Sequence, residues 1–301
     1  MVVFHDALLQ HLLLGVSREA WEGEFAYVYG ERGREIAANL RGGNAALHEG
    51  YFRYPLVKRM AAASRFVIVH NQGAAARLQR EAPEVRPHVV PLPFVRRGRE
   101  SSRAQARRDL GLPSGAFLVG SFGYIREARR LGVVLRAFEA LRRQAPHAEF
   151  LLVGKFTSPE LASLMEHRLA APGIRTTGHV SDQEFEQYAV SCDVVVNLRF
   201  PSAGETSAVA VRAMGLGVPV VLSEIAENAA YPADTCLQVP NGEMEDALLL
   251  EYLLALARRP ELGRAIGENA RNFICREHDP ERCTDLYMEV LREAVTISSS
   301  P

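Results

Sequence analysis

Residues 194–222 read VVVNLRFPSAGETSAVAVRAMGLGVPVVL, and this stretch decides the fold. Val194 to Leu198 is a short apolar run of strand length, Thr206 to Gly215 has the length and composition of a helix, and Pro219 to Leu222 is a second apolar run. Apolar runs that do not alternate with polar residues belong to strands buried on both faces, which is the situation of a parallel sheet covered by helices. The unit predicted here is therefore βαβ. Its loop, Arg199 to Ser207, joins the carboxyl end of a strand to a helix start, where ligands bind in open parallel sheets.

The same rhythm extends upstream. Strands are predicted at Phe117 to Gly120, Phe150 to Val153 and Arg175 to Thr177, alternating with helices Leu131 to Arg143, Glu160 to Leu169 and Asp182 to Ala189. Downstream, helices Glu245 to Arg258, Pro260 to Phe273 and Pro280 to Val295 follow, two of them opening on proline, which suits a first helical turn. The residues before the linker carry weaker signals: a strand at Val2 to Phe4, a helix-like pattern from Ala7 to Gly15, a mixed helical region from Trp21 to Ala63, a strand at Phe66 to Val69, a helix at Ala74 to Glu81 and a strand at His88 to Val90. Pro91-Leu92-Pro93 and the six arginines between Arg96 and Arg108 interrupt the apolar pattern and read as a solvated linker leading into a polar helix. The division expected is 1–95, 96–279, and a closing helix and tail at 280–301, with Ser298 to Pro301 disordered.

The 301 residues are 48% hydrophobic and 24% charged, which is ordinary globular usage and excludes a disordered or fibrous chain. A formal net charge of -1 provides no global attraction for nucleic acid. The four cysteines, Cys192, Cys236, Cys275 and Cys283, lack metal-site or small-scaffold spacing and are expected as reduced thiols. No signal peptide and no membrane-spanning run is read, so the expected location is cytoplasmic or peripheral to the inner face of the membrane.

Three loops carry chemistry. In Ala203-Gly204-Glu205-Thr206-Ser207, free N–H groups and the positive end of a helix dipole suit a phosphate, and a carboxylate among them suits sugar hydroxyls; a helix cap at Glu205 or Thr206 is the competing reading. Gly120 to Arg130 combines glycines that permit close backbone approach with Arg126, Arg129 and Arg130, guanidiniums able to hold phosphate oxygens bidentately. Gly178-His179-Val180-Ser181 ends a strand before a helix that Ser181 or Asp182 could cap.

The order and spacing of Phe122-Gly123 with Arg129-Arg130, then Leu152-Val153-Gly154, Gly178-His179-Val180, Pro201 to Ser207 and Gly217 to Val221 resembles glycosyltransferase family 4. The resemblance implies an α/β protein of GT-B type: two Rossmann-like doubly wound parallel sheets facing across a cleft, the first of them incomplete here because its glycine-rich opening strands are missing. It implies a hexosyltransferase of polysaccharide or glycan assembly that uses a nucleoside-diphosphate sugar, retains configuration and needs neither metal nor cofactor. Glu205, Arg129 and His5 are then the catalytic candidates, and Gly123, Arg126, Arg130, His179, Val180, Gly204, Thr206, Ser207 and Arg212 the substrate-binding ones. Arg212 stands near where many members carry a second glutamate, and Tyr124 where an arginine is common. The partners implied are a sugar nucleotide and a glycan or lipid-linked acceptor, with peripheral membrane contact and self-association through the incomplete first domain as further expectations. A non-catalytic sugar-nucleotide-binding remnant and a sugar-nucleotide epimerase of related fold are the alternatives.

Overall fold

The computed structural model describes residues 1–42 and 46–298. It contains two parallel sheets. The first is built from β1 (Val2–Phe4), α1 (Gln10–Val16), α2 (Arg18–Gly42), α3 (Ala46–Arg53), α4 (Lys58–Ala62), β2 (Val67–Val69), α5 (Gln72–Glu81) and β3 (His88–Val89), with strand order β1-β2-β3. The mixed helical region thus resolves into three helices, the first of them kinked at Gly30. Phe4, Val57, Val67, Val69, Ala74 and Leu78 form the small core on one side of this sheet.

After α6 (Arg103–Asp109) comes the larger sheet. Its elements are β4 (Phe117–Phe122), α7 (Leu131–Gln144), β5 (Ala148–Val153), α8 (Pro159–Leu169), β6 (Ile174–Gly178), α9 (Asp182–Ser191), β7 (Val194–Asn197), α10 (Ala208–Gly215), β8 (Val220–Ser223), β9 (Leu237–Val239), α11 (Glu245–Arg258) and α12 (Pro260–Glu277). All its pairings are parallel, in the order β6-β5-β4-β7-β8-β9, so the sheet is doubly wound as expected. Val194, Val195, Val196, Val220, Val221 and Leu222 are fully buried because separate apolar clusters cover the two faces. At about 1.5 to 3 kcal/mol for each side chain removed from water, these two strands are a major part of what holds the domain together. The three-residue edge strand β9 has no counterpart among the predicted elements, since Leu237-Gln238-Val239 is too short for periodicity to reveal it.

Two findings alter the expected organisation. The closing helix α13 (Pro280–Ser298) returns to the first sheet, where Cys283 and Val290 are buried with Phe66, Ile68 and Val90. Residues 299–301, most of the tail expected to be disordered, lie outside the described residues. The arginine-rich segment is docked at Arg97, Gly98 and Arg107, while the side chains of Arg97, Arg99 and Arg108 stay exposed as expected. The buried carboxylate of Glu186 accepts from Arg97 N at 2.8 Å and Gly98 N at 2.6 Å, and buried Arg107 pairs with Asp193 at 2.7 Å while donating to the carbonyls of Ser191, Ser114 and Ala116. A carboxylate that accepts two backbone N–H groups recovers much of its lost hydration, which is why Glu186 can be buried there. All four cysteines are free, and among the described residues no helix is long and apolar enough to cross a membrane.

Candidate functional site

The carboxyl ends of β4, β5 and β7 converge on one place. Gly154 (φ 150°), just after β5, lies against the carbonyl of Gly123, just after β4, and a Cβ on Gly154 would come within 1.9 Å of that oxygen, so only glycine fits. This packing, with Gly123 N donating to Val153 O at 2.8 Å, shapes the loop that turns Arg129 inward. Arg129 donates to Asn197 Oδ1 at the end of β7, and Asn197 Nδ2 in turn donates to Ser207 Oγ at 2.7 Å. Ser207 is the N-cap of α10, accepting from Ala210 N. The helix therefore starts two residues later than predicted, and neither Glu205 nor Thr206 caps it.

Glu205 instead forms an ion pair with Arg199 and accepts from Ala203 N at 2.9 Å. Burial is the largest cause that pulls the Arg129 guanidinium down to about 9, followed by the positive charge of Arg199; Glu205 opposes this and Arg126 adds to it. At neutral pH Arg129 stays charged, but it is short of compensating negative charge. The Asp6 carboxyl is raised, first by desolvation and then by the charge of Glu205, while Arg199, Arg126 and His5 pull it the other way. Asp6, Glu205, Arg126, Arg129 and Arg199 therefore form one electrostatic cluster spanning both domains.

The domains meet at this cluster. Ala7 N donates to Ala203 O at 2.8 Å, Asn71 Nδ2 to Gly204 O at 2.9 Å and to Thr206 Oγ1 at 3.0 Å, and Arg77 to Ser202 O at 2.8 Å. Thr206 Oγ1 also donates to His70 O at 3.2 Å. His5 lies on the first-domain side, with its Nδ1 3.0 Å from His70 Nε2; burial lowers the His70 pKa, so this pair has a neutral member. Gly204 sits at φ 90°, and a Cβ there would lie 2.8 Å from Ala7 Cβ. Gly204→Ala is expected to cost about 1 to 3 kcal/mol through overpacking at the seam, with backbone strain added to it. A thermal melt checks this, and an unchanged midpoint would mean that the seam yields without cost.

Not every candidate is brought together. Arg130, in the left-handed region at φ 56°, turns away to pair with buried Glu245 and does not join Arg129. Arg212 is held by Asp182 at 3.0 Å and lies over the Phe185 ring at 3.9 Å, so the structure ties it to α9 and not to the cluster. His179 is exposed, and Val180 packs partly against the core beneath α10. Sequence reasoning left Arg199, Asp6, Asn71 and Asn197 without roles. Arg199 lies inside the loop quoted first, where a basic residue six positions before Glu205 was the available signal.

Two parallel α/β units meeting at the carboxyl ends of their strands, with charged loops at the seam, define the GT-B fold of glycosyltransferases. Residues 115–257 match the family model described as Glycosyl transferases group 1. A D-inositol 3-phosphate glycosyltransferase of Saccharomonospora viridis is 29% identical over 277 residues, taking in 84% of this chain and 62% of the relative. The chain thus spans less than two thirds of that protein's length. Among solved structures, Anabaena HepE in complex with UDP-glucose superposes with a TM-score of 0.68 at 17% identity, covering 86% of this chain and 70% of that one. Sucrose-phosphate synthase from Thermosynechococcus elongatus gives 0.68 at 19% identity, covering 87% and 66%.

Proposed function

We propose that the chain transfers a hexose from a nucleoside-diphosphate sugar to a glycan or lipid-linked acceptor, in the manner of glycosyltransferase family 4 and with retention of configuration. The observation that carries this reading is the convergence of Arg126, Arg129 and Arg199 on two carboxylates, Glu205 and Asp6, at the domain seam. Three guanidiniums facing two carboxylates leave a positive excess, and a diphosphate is the anion that such a cluster holds best. It would bind Arg129, draw Arg199 from Glu205 and meet the N–H groups beside the start of α10. Glu205 would then be open to the hydroxyls of the donor hexose, and His5 and Asp6 would face the acceptor from the first domain.

Charge developing on the departing diphosphate would be stabilised by the same guanidiniums, so this is electrostatic catalysis without a requirement for a metal ion. Attack by the acceptor on the face from which the diphosphate leaves would give retention. The proposed setting is the cytoplasm or the inner membrane face, where sugar nucleotides are available. The solved relatives named above include one that holds UDP-glucose, which makes UDP-hexoses the first donors to try.

A thermal-shift panel of sugar nucleotides, run with and without EDTA, tests the proposal, since a ligand bound to the native state raises its apparent stability. At least one nucleoside-diphosphate hexose is expected to raise the midpoint equally in both conditions. A shift that vanishes with EDTA and returns with magnesium would overturn metal independence. No shift across the panel would overturn the donor site.

A further inference from the structure

The carboxyl ends of the first sheet put three residues in a row. Phe4 pairs with Val69 and Val69 with Val89, so the next residues along, His5, His70 and Val90, lie side by side where β1, β2 and β3 end. His70 Nδ1 is 2.9 Å from the Val90 carbonyl oxygen, and His70 Nε2 is 3.0 Å from His5 Nδ1. The two rings are tilted by 35° with centroids 4.8 Å apart.

This row allows one arrangement of protons. A carbonyl oxygen can only accept, so His70 Nδ1 carries a proton and donates to Val90 O. His70 is buried, and that burial is the largest cause lowering its pKa; the nearby charge of His5 acts the same way and the bond to Val90 acts against both. A neutral His70 has a lone pair at Nε2, and His5 Nδ1–H must then be the donor to it. In a neutral His5 this leaves the lone pair on Nε2.

His5 is exposed, so the ring edge away from buried His70 is open. The chain crosses the seam immediately after it. Asp6, whose pKa is raised first by desolvation and then by the charge of Glu205, is the next residue, and Ala7 N donates to Ala203 O at 2.8 Å. His70 is fixed from behind, since its own carbonyl accepts from Thr206 Oγ1 at 3.2 Å and its neighbour Asn71 caps α5.

We propose that His70 is a positioning residue: it holds His5 with the proton on Nδ1, so that His5 Nε2 accepts from the attacking hydroxyl of the acceptor. A histidine with its proton on Nε2 could only donate there, and would compete for the oxygen lone pair that must reach the hexose. The bond orients the hydroxyl and does not take its proton. The tautomer stands on the hydrogen bonds alone; the substrate it serves rests on the transfer reading above.

The test is a long-range proton–nitrogen correlation spectrum of the full chain with nitrogen-labelled histidines, recorded at about pH 8, where imidazoles are mostly neutral. His5→Asn assigns the His5 signals by their loss. The wild type is expected to show His5 with a protonated Nδ1 and a bare Nε2. His70→Leu removes both hydrogen bonds and is expected to move the His5 proton to Nε2, the form a free imidazole prefers. His70→Gln, whose amide can donate to Val90 O and accept from His5, is expected to restore the Nδ1 form. Release of UDP from UDP-glucose, with water in place of the acceptor, is expected to lose about tenfold or more in kcat in His70→Leu with KM near wild type, and to recover most of it in His70→Gln. A His5 proton on Nε2 in the wild type, a tautomer that His70→Leu does not move, or a kcat that is unchanged in His70→Leu or falls equally in both variants would overturn the proposal. Failure of UDP-glucose to bind a wild type that shows the Nδ1 form would strike the donor reading and leave the hold of His70 on His5 in place.

Discussion

Arg129→Ala is expected to weaken nucleoside-diphosphate binding by about 1.5 to 3 kcal/mol, roughly one to two powers of ten, while nucleoside binding stays nearly unchanged. The reason lies in what Arg129 lacks. Half-buried beside Arg199 and Arg126, its guanidinium has Asn197 as a neutral partner and only a share of the charge on Glu205. A diphosphate would supply the missing negative charge, and a nucleoside brings none. Calorimetry with UDP and with uridine reads the difference. Equal losses for the two ligands would remove Arg129 from the phosphate site.

Arg130→Ala serves as the internal control. It deprives the buried Glu245 carboxylate of its cation, so it should lower the melting temperature and leave the affinity difference intact. Since Arg130 is about a third exposed, solvent screens part of that loss.

Glu205→Gln is expected to leave the fold and nucleoside-diphosphate affinity close to wild type and to abolish most transfer or donor hydrolysis. The amide oxygen can still accept from Ala203 N, and α10 keeps its cap because Ser207 provides it. What disappears is the charge that pairs with Arg199. The amide oxygen that replaces the carboxylate can still accept from Arg199, so the empty protein keeps a neutral contact there and loses only its charge, and in the complex a diphosphate would take up the same guanidinium. The donor hexose, by contrast, loses an ionic acceptor for its hydroxyls, so affinity for the intact sugar nucleotide and turnover should fall together. Melting curves, titrations with UDP and UDP-hexose, and a coupled assay for released nucleoside diphosphate separate these effects. A drop of several degrees in melting temperature with unchanged sugar-nucleotide affinity would show that Glu205 holds the loop and does not meet the sugar.

Much of this was legible in the residues themselves. The valine runs at 194–196 and 220–221, the glycines after β4 and β5 and the spacing of the intervening helices announce a doubly wound sheet, because strand burial and helix length are local properties of a chain. The loops at the strand ends followed from the same pattern, and with them the segments that hold Glu205 and the Arg129-Arg130 pair, although α10 starts two residues later than expected. Even the docking of α13 left a trace in its amphipathic sequence, although nothing along the chain says which sheet it covers.

The choice between Arg129 and Arg130 was not legible. Adjacent arginines are equivalent to a spacing rule; what separates them is that Arg130 takes a left-handed backbone and finds Glu245, 115 residues away, while Arg129 finds Asn197. Arg212 is withheld from the cluster for a similar reason, since Asp182 and the Phe185 ring capture it. Arg77 reads as an ordinary residue of a short helix, and Asn71 as one that precedes it, until the second domain brings Ser202 and Gly204 against them. Sequence by itself determined which segments are strands, which are helices and at which ends a ligand could sit, because these follow from periodicity and backbone chemistry over a few residues. Only the tertiary structure decided which charges share the cleft, because a guanidinium goes to whichever buried carboxylate, amide or ring the fold places within reach, and those partners lie far away along the chain.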